Sequence, residues 1–192
     1  MVQKIILASQ SPRRKQLLEW AEIPFEVIVR LTDESFPEEM PVEKVPVYIA
    51  QHKAEAAKHS LSDTNRPLPI LAADTIVVLN EKIIGKPKNR NEATSILASL
   101  SGNKHKVITG VVILSNDKII SFADSTEVTF YQLTKKEIEF YVNKYKPYDK
   151  AGAYAIQEWI GVIGIKSVNG DFYNVMGLPV SRVVKELNKL NY

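Results

Sequence analysis

The sequence contains no cysteine. Disulfide bonds, thiolate metal sites and a cysteine nucleophile are therefore excluded. Long apolar runs are also lacking, because no stretch approaches the roughly 20 apolar residues that a membrane-spanning helix needs. The apolar run that ends at Ala8 is too short for a signal peptide, and basic residues follow it at 13–15. We therefore expect a cytoplasmic protein with no membrane partner.

Several common catalytic motifs are missing as well. Gly85-Lys86 is followed by Pro87, so the phosphate-binding G-x-x-x-x-G-K-[ST] loop is absent. The chain has neither G-x-G-x-x-G nor G-x-S-x-G, and its histidines do not have the spacing of a zinc site. Kinases, the usual dehydrogenases, α/β-hydrolases and zinc hydrolases are therefore disfavoured. The net charge of +3 is small and no basic segment is interleaved with aromatic residues, so we expect no nucleic-acid partner.

The residues that are present have the proportions of an ordinary globular protein, with 45% apolar and 24% charged among 192. We predict one domain over 1–192, with the segment near Pro147 as the best candidate for a junction between lobes. Helical and strand-like segments alternate, which predicts an α/β fold. The predicted helices are 12–21, 42–60, 91–100, 134–144 and 179–190, and the predicted strands are 5–8, 25–29, 70–79, 82–84, 107–114, 119–131, 154–156, 161–166 and 172–175. A loop at 62–69 and turns at 80–81 and 115–118 connect some of them.

Asp74 interrupts the apolar strand pattern at 70–79. A strand of this kind is covered on both faces, and an ionised carboxylate within it is costly unless it is paired or bound to a metal. Strand alternation places Asp74 on the face that holds Ala72 and Ile76. One interpretation is a general base or metal ligand. The alternative is an aspartate at a strand end that caps a turn.

Two arginines lie at the start of the first predicted helix, shortly after Ser9. Ser11 and Pro12 predict the helix start, so Arg13 and Arg14 fall in its first turn. Cations there oppose the helix dipole, at a cost of roughly 0.3–1 kcal/mol each. A phosphate group would offset that cost, because it accepts N–H bonds from a helix start and forked bonds from arginine. The alternative is that both arginines are solvated or paired with nearby acids.

Five further side chains could complete a nucleotide site. Lys53 borders the apolar face of the second predicted helix, and Lys86 lies on a stiff turn before a proline, so both could contact phosphate. Asp33 and Glu34, in an acidic loop, could join Asp74 as oxygen ligands for a hard cation such as Mg²⁺. Gln157 could pair with the edge of a base. The plainer alternatives are a lysine that reaches to solvent, a solvated loop and an ordinary turn amide.

Together these segments resemble the Maf family of nucleotide pyrophosphatases over nearly the whole chain. The matching segments are 7–14, 33–34, 53–54, 73–77, 85–87, 149–157 and 174–179. The resemblance implies a mixed α/β sheet with flanking helices and two lobes around a cleft, as in the inosine triphosphate pyrophosphatases. It also implies a homodimer, a small-molecule nucleotide substrate and a divalent cation, Mg²⁺ or Mn²⁺.

The resemblance implies a role for each candidate residue. Asp74 is the proton acceptor for the attacking water, and Glu34 lies with it at the metal. Arg13, Thr75 and Gln157 fall where the family tunes its choice of substrate. The positions that match phosphate-contacting residues are Ser9, Arg14, Lys53 and Lys86.

The implied reaction is hydrolysis of a nucleoside triphosphate to the monophosphate and pyrophosphate. Ala-Asp-Thr at 73–75, together with Gln157, looks like the branch that acts on dTTP and UTP, which would remove unwanted or modified nucleotides. The family usually has glycine after this glutamine, whereas this chain has Glu158 and then Trp159. Two alternatives stay open: a nucleotide-binding regulator of septum formation with little catalysis, and the same reaction on another nucleotide such as 7-methyl-GTP.

Overall fold

The structure is a computed structural model, and it describes residues 4–61, 68–115 and 118–190. The helices are α1 (Pro12–Trp20), α2 (Val45–Lys58), α3 (Arg90–Leu100), α4 (Lys135–Tyr145), α5 (Trp159–Gly164), α6 (Phe172–Met176) and α7 (Val180–Asn188). The strands are β1 (Ile5–Leu7), β2 (Phe25–Val27), β3 (Ile70–Leu79), β4 (Lys82–Ile84), β5 (Lys104–Ser115), β6 (Lys118–Phe130) and β7 (Ile165–Asn169). Short 3₁₀ turns lie at Val42–Lys44 and Ala151–Ala153. Most of the predicted 62–69 loop and the centre of the predicted 115–118 turn lie outside the described residues.

The strands form a mixed sheet. Its order is β2-β1-β3-β5-β6-β7, and β4 pairs with β3 beside this path. Strand β1 is parallel to both β2 and β3, whereas β4 is antiparallel to β3 and β7 is antiparallel to β6. Parallel neighbours need a crossover connection, and helices α1 and α2 provide the two crossovers between these first three strands. The predicted mixed α/β sheet is confirmed.

The chain divides into two compact units. The first comprises 1–74, 109–124 and 177–192, and the second comprises 75–108 and 125–176. Pro147 lies inside the second unit, so the predicted junction there is wrong. The chain passes between the units inside β3, β5 and β6 and directly after α6, so a proline in the loop after α4 does not mark a boundary. The assignment of 1–192 to one domain stays a prediction.

The core of the first unit forms where α2 packs against the sheet. The helix face consists of fully buried alanines, namely Ala50, Ala54 and Ala57. They pack in one cluster with strand residues such as Ile6 and Val112. Gly110 of β5 leaves room for the start of the helix, because a Cβ atom there would lie 2.2 Å from the backbone nitrogen of Val47. Small residues on both sides therefore bring α2 close to the strands.

In the second unit, α4 begins at a reciprocal cap. The Glu137 N–H donates to Thr134 Oγ1 at 3.3 Å, and the Thr134 N–H donates to Glu137 Oε2 at 2.7 Å. Each residue thus satisfies a backbone donor that the helix start leaves without an intrahelical acceptor. The helix start predicted at 134 is confirmed. Helix α4 packs against α3.

Buried aromatic rings surround His105 of β5 in the second unit. Its imidazole stacks on Phe130 with ring centroids 5.5 Å apart, and its Nε2 lies 2.8 Å from the Tyr154 hydroxyl. His105 is 2% exposed, and its Nδ1 has no hydrogen-bond partner among the described residues. Burial lowers the pKa of His105 to about 4. The ring is therefore neutral at pH 7, as a low-polarity environment requires.

Three predicted strands near the C-terminus are wrong in whole or in part. Residues 154–156 lead into a turn, 161–164 belong to helix α5, and 172–175 belong to helix α6. At 161–164 the Glu158 carbonyl oxygen accepts hydrogen bonds from the Gly161 and Val162 N–H groups, which starts the helix. Gly161 leaves room for this path, because a Cβ there would lie 1.7 Å from the Ile156 carbonyl oxygen. At α6, Asp171 accepts a hydrogen bond from the Tyr173 N–H at 2.8 Å, which starts a helix in a segment whose aromatic residues favour strand.

Candidate active site

The two central residues of β3, Asp74 and Thr75, are only half-buried, although both flanks of the strand are buried. Asp74 lies in the interior of β3, so the alternative of a strand-end aspartate that caps a turn is wrong. Its side chain is 13% exposed. Within the interior of β3, solvent or a ligand can therefore reach the strand around Asp74 and Thr75.

Lys53 joins two carboxylates in the first unit. Its Nζ lies 2.7 Å from Asp74 Oδ1 and 2.7 Å from Glu34 Oε1. The Lys53 side chain is 17% exposed, so it does not extend into solvent as the plainer alternative required. Because α2 is held close to the strands by its alanine face, the lysine side chain is long enough to reach β3. We call Glu34, Lys53 and Asp74 the acid–lysine group.

Glu34 and Asp33 have different surroundings, although they are adjacent in the acidic loop. The Asp33 carboxylate accepts hydrogen bonds from the Ser35 N–H at 2.9 Å and from the Ser35 hydroxyl at 2.7 Å. These bonds lower the pKa of Asp33. Glu34 instead reaches Lys53, so only the second acid of the pair joins Asp74. The Glu34 carboxylate is thus paired with Lys53, although its side chain is still 47% exposed.

Ser9 and Arg14 are connected at the start of α1. Ser11 caps the helix and Pro12 is its first residue, as predicted. Arg14 is 8% exposed, and its Nη1 donates to Ser9 Oγ at 3.1 Å. Its Nε donates to the Gly177 carbonyl oxygen at 2.8 Å, and Gly177 has φ +117, a backbone conformation that favours glycine. The guanidinium is thus fixed in orientation rather than solvated.

Electrostatics join Arg14 to the acid–lysine group. Burial lowers the pKa of Arg14, while the negative charges of Asp74 and Glu34 raise it and the neighbouring Arg13 lowers it. These charges therefore lie near enough to Arg14 to influence it. The first unit brings together six of the predicted site residues, which are Ser9, Arg13, Arg14, Glu34, Lys53 and Asp74.

The donor set of the acid–lysine group fits a hard divalent cation. Glu34 Oε1 and Asp74 Oδ1 each lie 2.7 Å from the Lys53 ammonium nitrogen, so the two carboxylates are close to each other. Among residues 4–61, 68–115 and 118–190 there is no cluster of three or more His, Cys, Asp or Glu side chains that could hold a metal alone. Mg²⁺ is commonly held by one or two carboxylates, with waters and substrate phosphates as its other ligands. Glu34 and Asp74 match that pattern.

The remaining predicted residues, Thr75, Lys86 and Gln157, belong to the second unit. Lys86 is exposed and follows Gly85, whose carbonyl oxygen accepts a hydrogen bond from the Gly152 N–H at 3.2 Å. Gly152 has φ +70 and packs so closely on β3 that a Cβ would lie 2.9 Å from Val77 Cγ2. The turn with Lys86 and the segment that leads to Gln157 therefore both meet the strand that carries Thr75.

Several residues that shape these surroundings carry no clear signal in the sequence. Gly177 lies in the matched segment 174–179, yet only the structure shows that its carbonyl fixes Arg14. Lys150 is only 8% exposed, and the polar and small residues around it in the sequence do not indicate that its side chain is buried. Its partner Glu158 was seen only as a departure from the family. The aromatic residue Tyr141, which contacts Glu158, gave no signal beyond helix periodicity.

No helix in the described part of the chain has both the length and the apolar character needed to cross a membrane.

A fixed arginine beside two carboxylates and a lysine suits a polyphosphate accompanied by a metal cation. The family described as Maf-like protein matches residues 4–190, and the chain belongs to this family. It is 49% identical over 185 residues to the dTTP/UTP pyrophosphatase of Parabacteroides distasonis, covering 96% of this chain and 94% of that protein. It is 49% identical to the dTTP/UTP pyrophosphatase of Cytophaga hutchinsonii, covering 97% and 84%. The dTTP/UTP pyrophosphatase of Bacillus anthracis is 46% identical, with 99% and 97% covered.

Among solved structures, that of the Staphylococcus aureus Ham1 protein is similar over 67% of this chain and 72% of that chain. The TM-score is 0.45 and the sequence identity is 16%. A likeness this partial supports no conclusion about this chain.

Proposed function

We propose that this protein is a metal-dependent nucleoside triphosphate pyrophosphatase that acts on dTTP and UTP. The observation that supports it most is the acid–lysine group, in which Lys53 holds Glu34 and Asp74 at 2.7 Å each. Family membership and the named activity of relatives that are 46–49% identical support the same reaction. Its products are a nucleoside monophosphate and pyrophosphate.

In the proposed reaction, Asp74 accepts a proton from a water molecule whose oxygen attacks the α phosphorus. The bond from the α phosphorus to the bridging oxygen breaks, and that oxygen leaves with pyrophosphate. Lys53 positions the Asp74 carboxylate for this proton transfer through their 2.7 Å contact. Because Asp74 is only 13% exposed, bulk water has limited access to the accepting oxygen.

Negative charge develops on the leaving pyrophosphate, and basic side chains are proposed to stabilise it. Arg14 is fixed by Ser9 and Gly177, so its guanidinium needs little reordering when an anion binds. Lys53 and Lys86 are proposed as further phosphate contacts, with Ser9 as a hydroxyl contact. A divalent cation held by Glu34 and Asp74 would supply Lewis-acid stabilisation of phosphate oxygens. Mg²⁺ and Mn²⁺ both suit these oxygen ligands.

The choice of substrate is assigned to Arg13, Thr75 and Gln157. Gln157 is exposed, and its amide can donate to one atom and accept from another on a pyrimidine edge. The relatives named above carry dTTP and UTP in their names, which supports a pyrimidine preference. We further propose a cytoplasmic homodimer that removes unwanted nucleotides. Sedimentation equilibrium tests the oligomeric state, and a monomer at micromolar concentration would contradict the dimer.

The test is pyrophosphate release from dTTP, UTP, CTP, ATP, GTP, ITP and 7-methyl-GTP, with Mg²⁺, with Mn²⁺ and with EDTA. We expect release from dTTP and UTP that EDTA abolishes. Asp74→Asn should lower kcat by about 10²–10⁴-fold, the usual contribution of a general base. Asp124→Asn, a matched change at an aspartate that pairs with Arg182, should leave kcat unchanged.

Each result separates the proposal from its alternatives. Release from 7-methyl-GTP alone would keep the reaction and overturn the choice of substrate. Nucleotide binding without release from any triphosphate would favour a regulator of septum formation. An Asp74→Asn variant that turns over at the normal rate would exclude Asp74 as the base.

A further inference from the structure

Gln157 lies in a tight turn that spans 155–158. The Glu158 N–H donates to the Ala155 carbonyl oxygen at 3.1 Å, which closes the turn and places Gln157 at its third position. Ala155 and Ile156 are buried at 4% and 5% exposure, whereas Gln157 is exposed. The turn is thus anchored on one side and presents a single amide side chain on the other.

One hydroxyl group of helix α4 holds both ends of this turn. Tyr141 is fully buried, and its Oη accepts a hydrogen bond from the Ala155 N–H at 3.2 Å. The same hydroxyl donates to the carboxylate of Glu158. The first residue of the turn is therefore bound through its backbone and the last through its side chain, at one oxygen atom. We call Tyr141 and Glu158 the turn clamp.

A buried lysine supports the turn clamp. Lys150 Nζ lies 3.6 Å from Glu158 Oε1 and 2.8 Å from Asp149 Oδ1, and its side chain is 10% exposed. The Glu158 side chain is 23% exposed. Removal of one partner from an ion pair this sheltered from solvent is costly, because it leaves the other charge without full compensation. The carboxylate is therefore fixed by a phenol on one oxygen and by an ammonium near the other.

The chain after the turn is fixed as well. The Glu158 carbonyl oxygen accepts hydrogen bonds from the Gly161 N–H at 2.9 Å and from the Val162 N–H at 3.3 Å, which begins α5. Gly161 permits this path, since any side chain would collide with the Ile156 carbonyl. Little backbone freedom is left around Gln157, so its orientation depends on these contacts.

We propose that Glu158 and Tyr141 are positioning residues that determine nucleotide selectivity by fixing the turn that presents Gln157. This inference rests on the proposed function, because Gln157 is taken to contact the base. Neither residue contacts the reacting phosphate in this proposal. Loss of the turn clamp should therefore weaken recognition of the preferred base and leave the chemical step unchanged.

The test compares Tyr141→Phe, Glu158→Ala and Glu158→Gln with two matched controls. Tyr145→Phe removes a phenol hydroxyl from the ring that stacks on Tyr141, and Glu139→Ala removes a carboxylate from the same helix. Gln157→Ala is the benchmark for complete loss of base recognition. The measurements are kcat and KM for dTTP, UTP and CTP, and hydrogen exchange of the peptide that covers 153–160.

In Tyr141→Phe and Glu158→Ala, we expect KM for dTTP and UTP to rise about tenfold, which corresponds to one lost hydrogen bond of about 1.4 kcal/mol. The kcat values should stay within about twofold, and selectivity over CTP should fall toward that of Gln157→Ala. Hydrogen exchange at 153–160 should become about tenfold faster. In Tyr141→Phe the Ala155 amide loses its acceptor, and in Glu158→Ala the turn loses the side-chain contact at its last residue. Glu158→Gln keeps an acceptor for Tyr141 and should lie closer to the wild type than Glu158→Ala does.

Several outcomes overturn the proposal. If the clamp variants match their controls in KM and in exchange, the contacts have no positioning role. Faster exchange with unchanged selectivity would show a purely structural role. An unselective loss of kcat would do the same.

Failure of the proposed function has a different signature. If Gln157→Ala keeps the wild-type selectivity, the assignment of base recognition to Gln157 fails, whatever the clamp variants do. If the wild type releases no pyrophosphate, dissociation constants for dTTP, UTP and CTP replace KM in the same comparison. Loss of exchange protection in the clamp variants would then still establish the clamp, and unchanged affinities would overturn its role in selectivity.

Discussion

His105 should make the stability of the protein depend on pH in a range where most carboxylates do not yet titrate. Its imidazole is 2% exposed, stacks on Phe130 and contacts the Tyr154 hydroxyl, while Nδ1 has no partner in the described structure. Protonation would put an unsatisfied donor and a full charge into this apolar surrounding. Burial accordingly lowers the pKa of His105 from 6.5 to about 4, and it raises the pKa of Tyr154, so the phenol stays neutral.

The direction of the effect follows from proton binding. On acidification the unfolded chain takes up a proton on His105 near pH 6.5, whereas the folded protein does so only near pH 4. The stability gained by burying the neutral imidazole is therefore complete above the pKa of His105 in the unfolded chain. It is lost as the pH falls toward the pKa of His105 in the folded protein. The full difference corresponds to about 3 kcal/mol, and about 2 kcal/mol of it should be lost between pH 7 and pH 5.

The assay is urea unfolding followed by circular dichroism at pH 7, 6 and 5, for the wild type and His105→Gln. The variant can have a lower stability at every pH, so the quantity that counts is the change in the free energy of unfolding with pH. We expect His105→Gln to lose about 2 kcal/mol less than the wild type between pH 7 and pH 5. His59→Gln, at an exposed histidine, is the control and should behave like the wild type. Equal pH dependence in His105→Gln and the wild type would refute the neutral buried imidazole.

Two further predictions concern packing and capping. Gly110→Ala should lower the free energy of unfolding by about 3 kcal/mol or more, since the added methyl meets backbone atoms that cannot rotate away. Gly85→Ala, where a Cβ meets nothing within 4 Å, is the control in the same denaturation experiment. Equal stability of the two variants would contradict the close approach of α2. Thr134→Ala should cost about 1 kcal/mol by removing the cap of α4. Thermal unfolding of that variant without a decrease in Tm would contradict this estimate.

The elements that the sequence predicted well have local signals that tertiary structure does not oppose. The Ser11-Pro12 start of α1 is one, and the Asn80-Glu81 turn is another, because both of its residues adopt the positive φ that a tight hairpin needs. The strand at 70–79 was also predicted in full, since its long apolar run lies between Pro69 and Asn80. In each case a few neighbouring residues determine the backbone.

The failures cluster at 154–175, where the local signal is ambiguous. Short apolar and aromatic runs favour strand there, but the helices α5 and α6 depend on contacts that sequence spacing does not show. Gly161 against the Ile156 carbonyl is one such contact, and the Asp171 cap is another. Strand propensity is a weak preference, so a single close contact or cap is enough to override it.

For the candidate site, the sequence identified the residues but not their partners. Asp74 stood out because a charge within an apolar strand is costly, and that cost points to a compensating partner without naming it. The structure supplies Lys53 and Glu34 as the partners. Glu34 and Asp74 lie far apart along the chain, and both contact Lys53 of α2, a pairing that local sequence does not show. The catalytic and binding roles of these residues stay predictions until the variants are measured.

The alanine face of α2 has a consequence for the reach of Lys53. A lysine side chain has a fixed length, so its ammonium meets Asp74 only if the helix axis stays at its present depth over the strands. The buried alanines at 50, 54 and 57 and the glycine at 110 set that depth. They act as a spacer of fixed thickness, and any larger side chain in that layer would lift the lysine away from the carboxylate. Residues outside the candidate site thus determine the distance between the Lys53 ammonium and the Asp74 carboxylate.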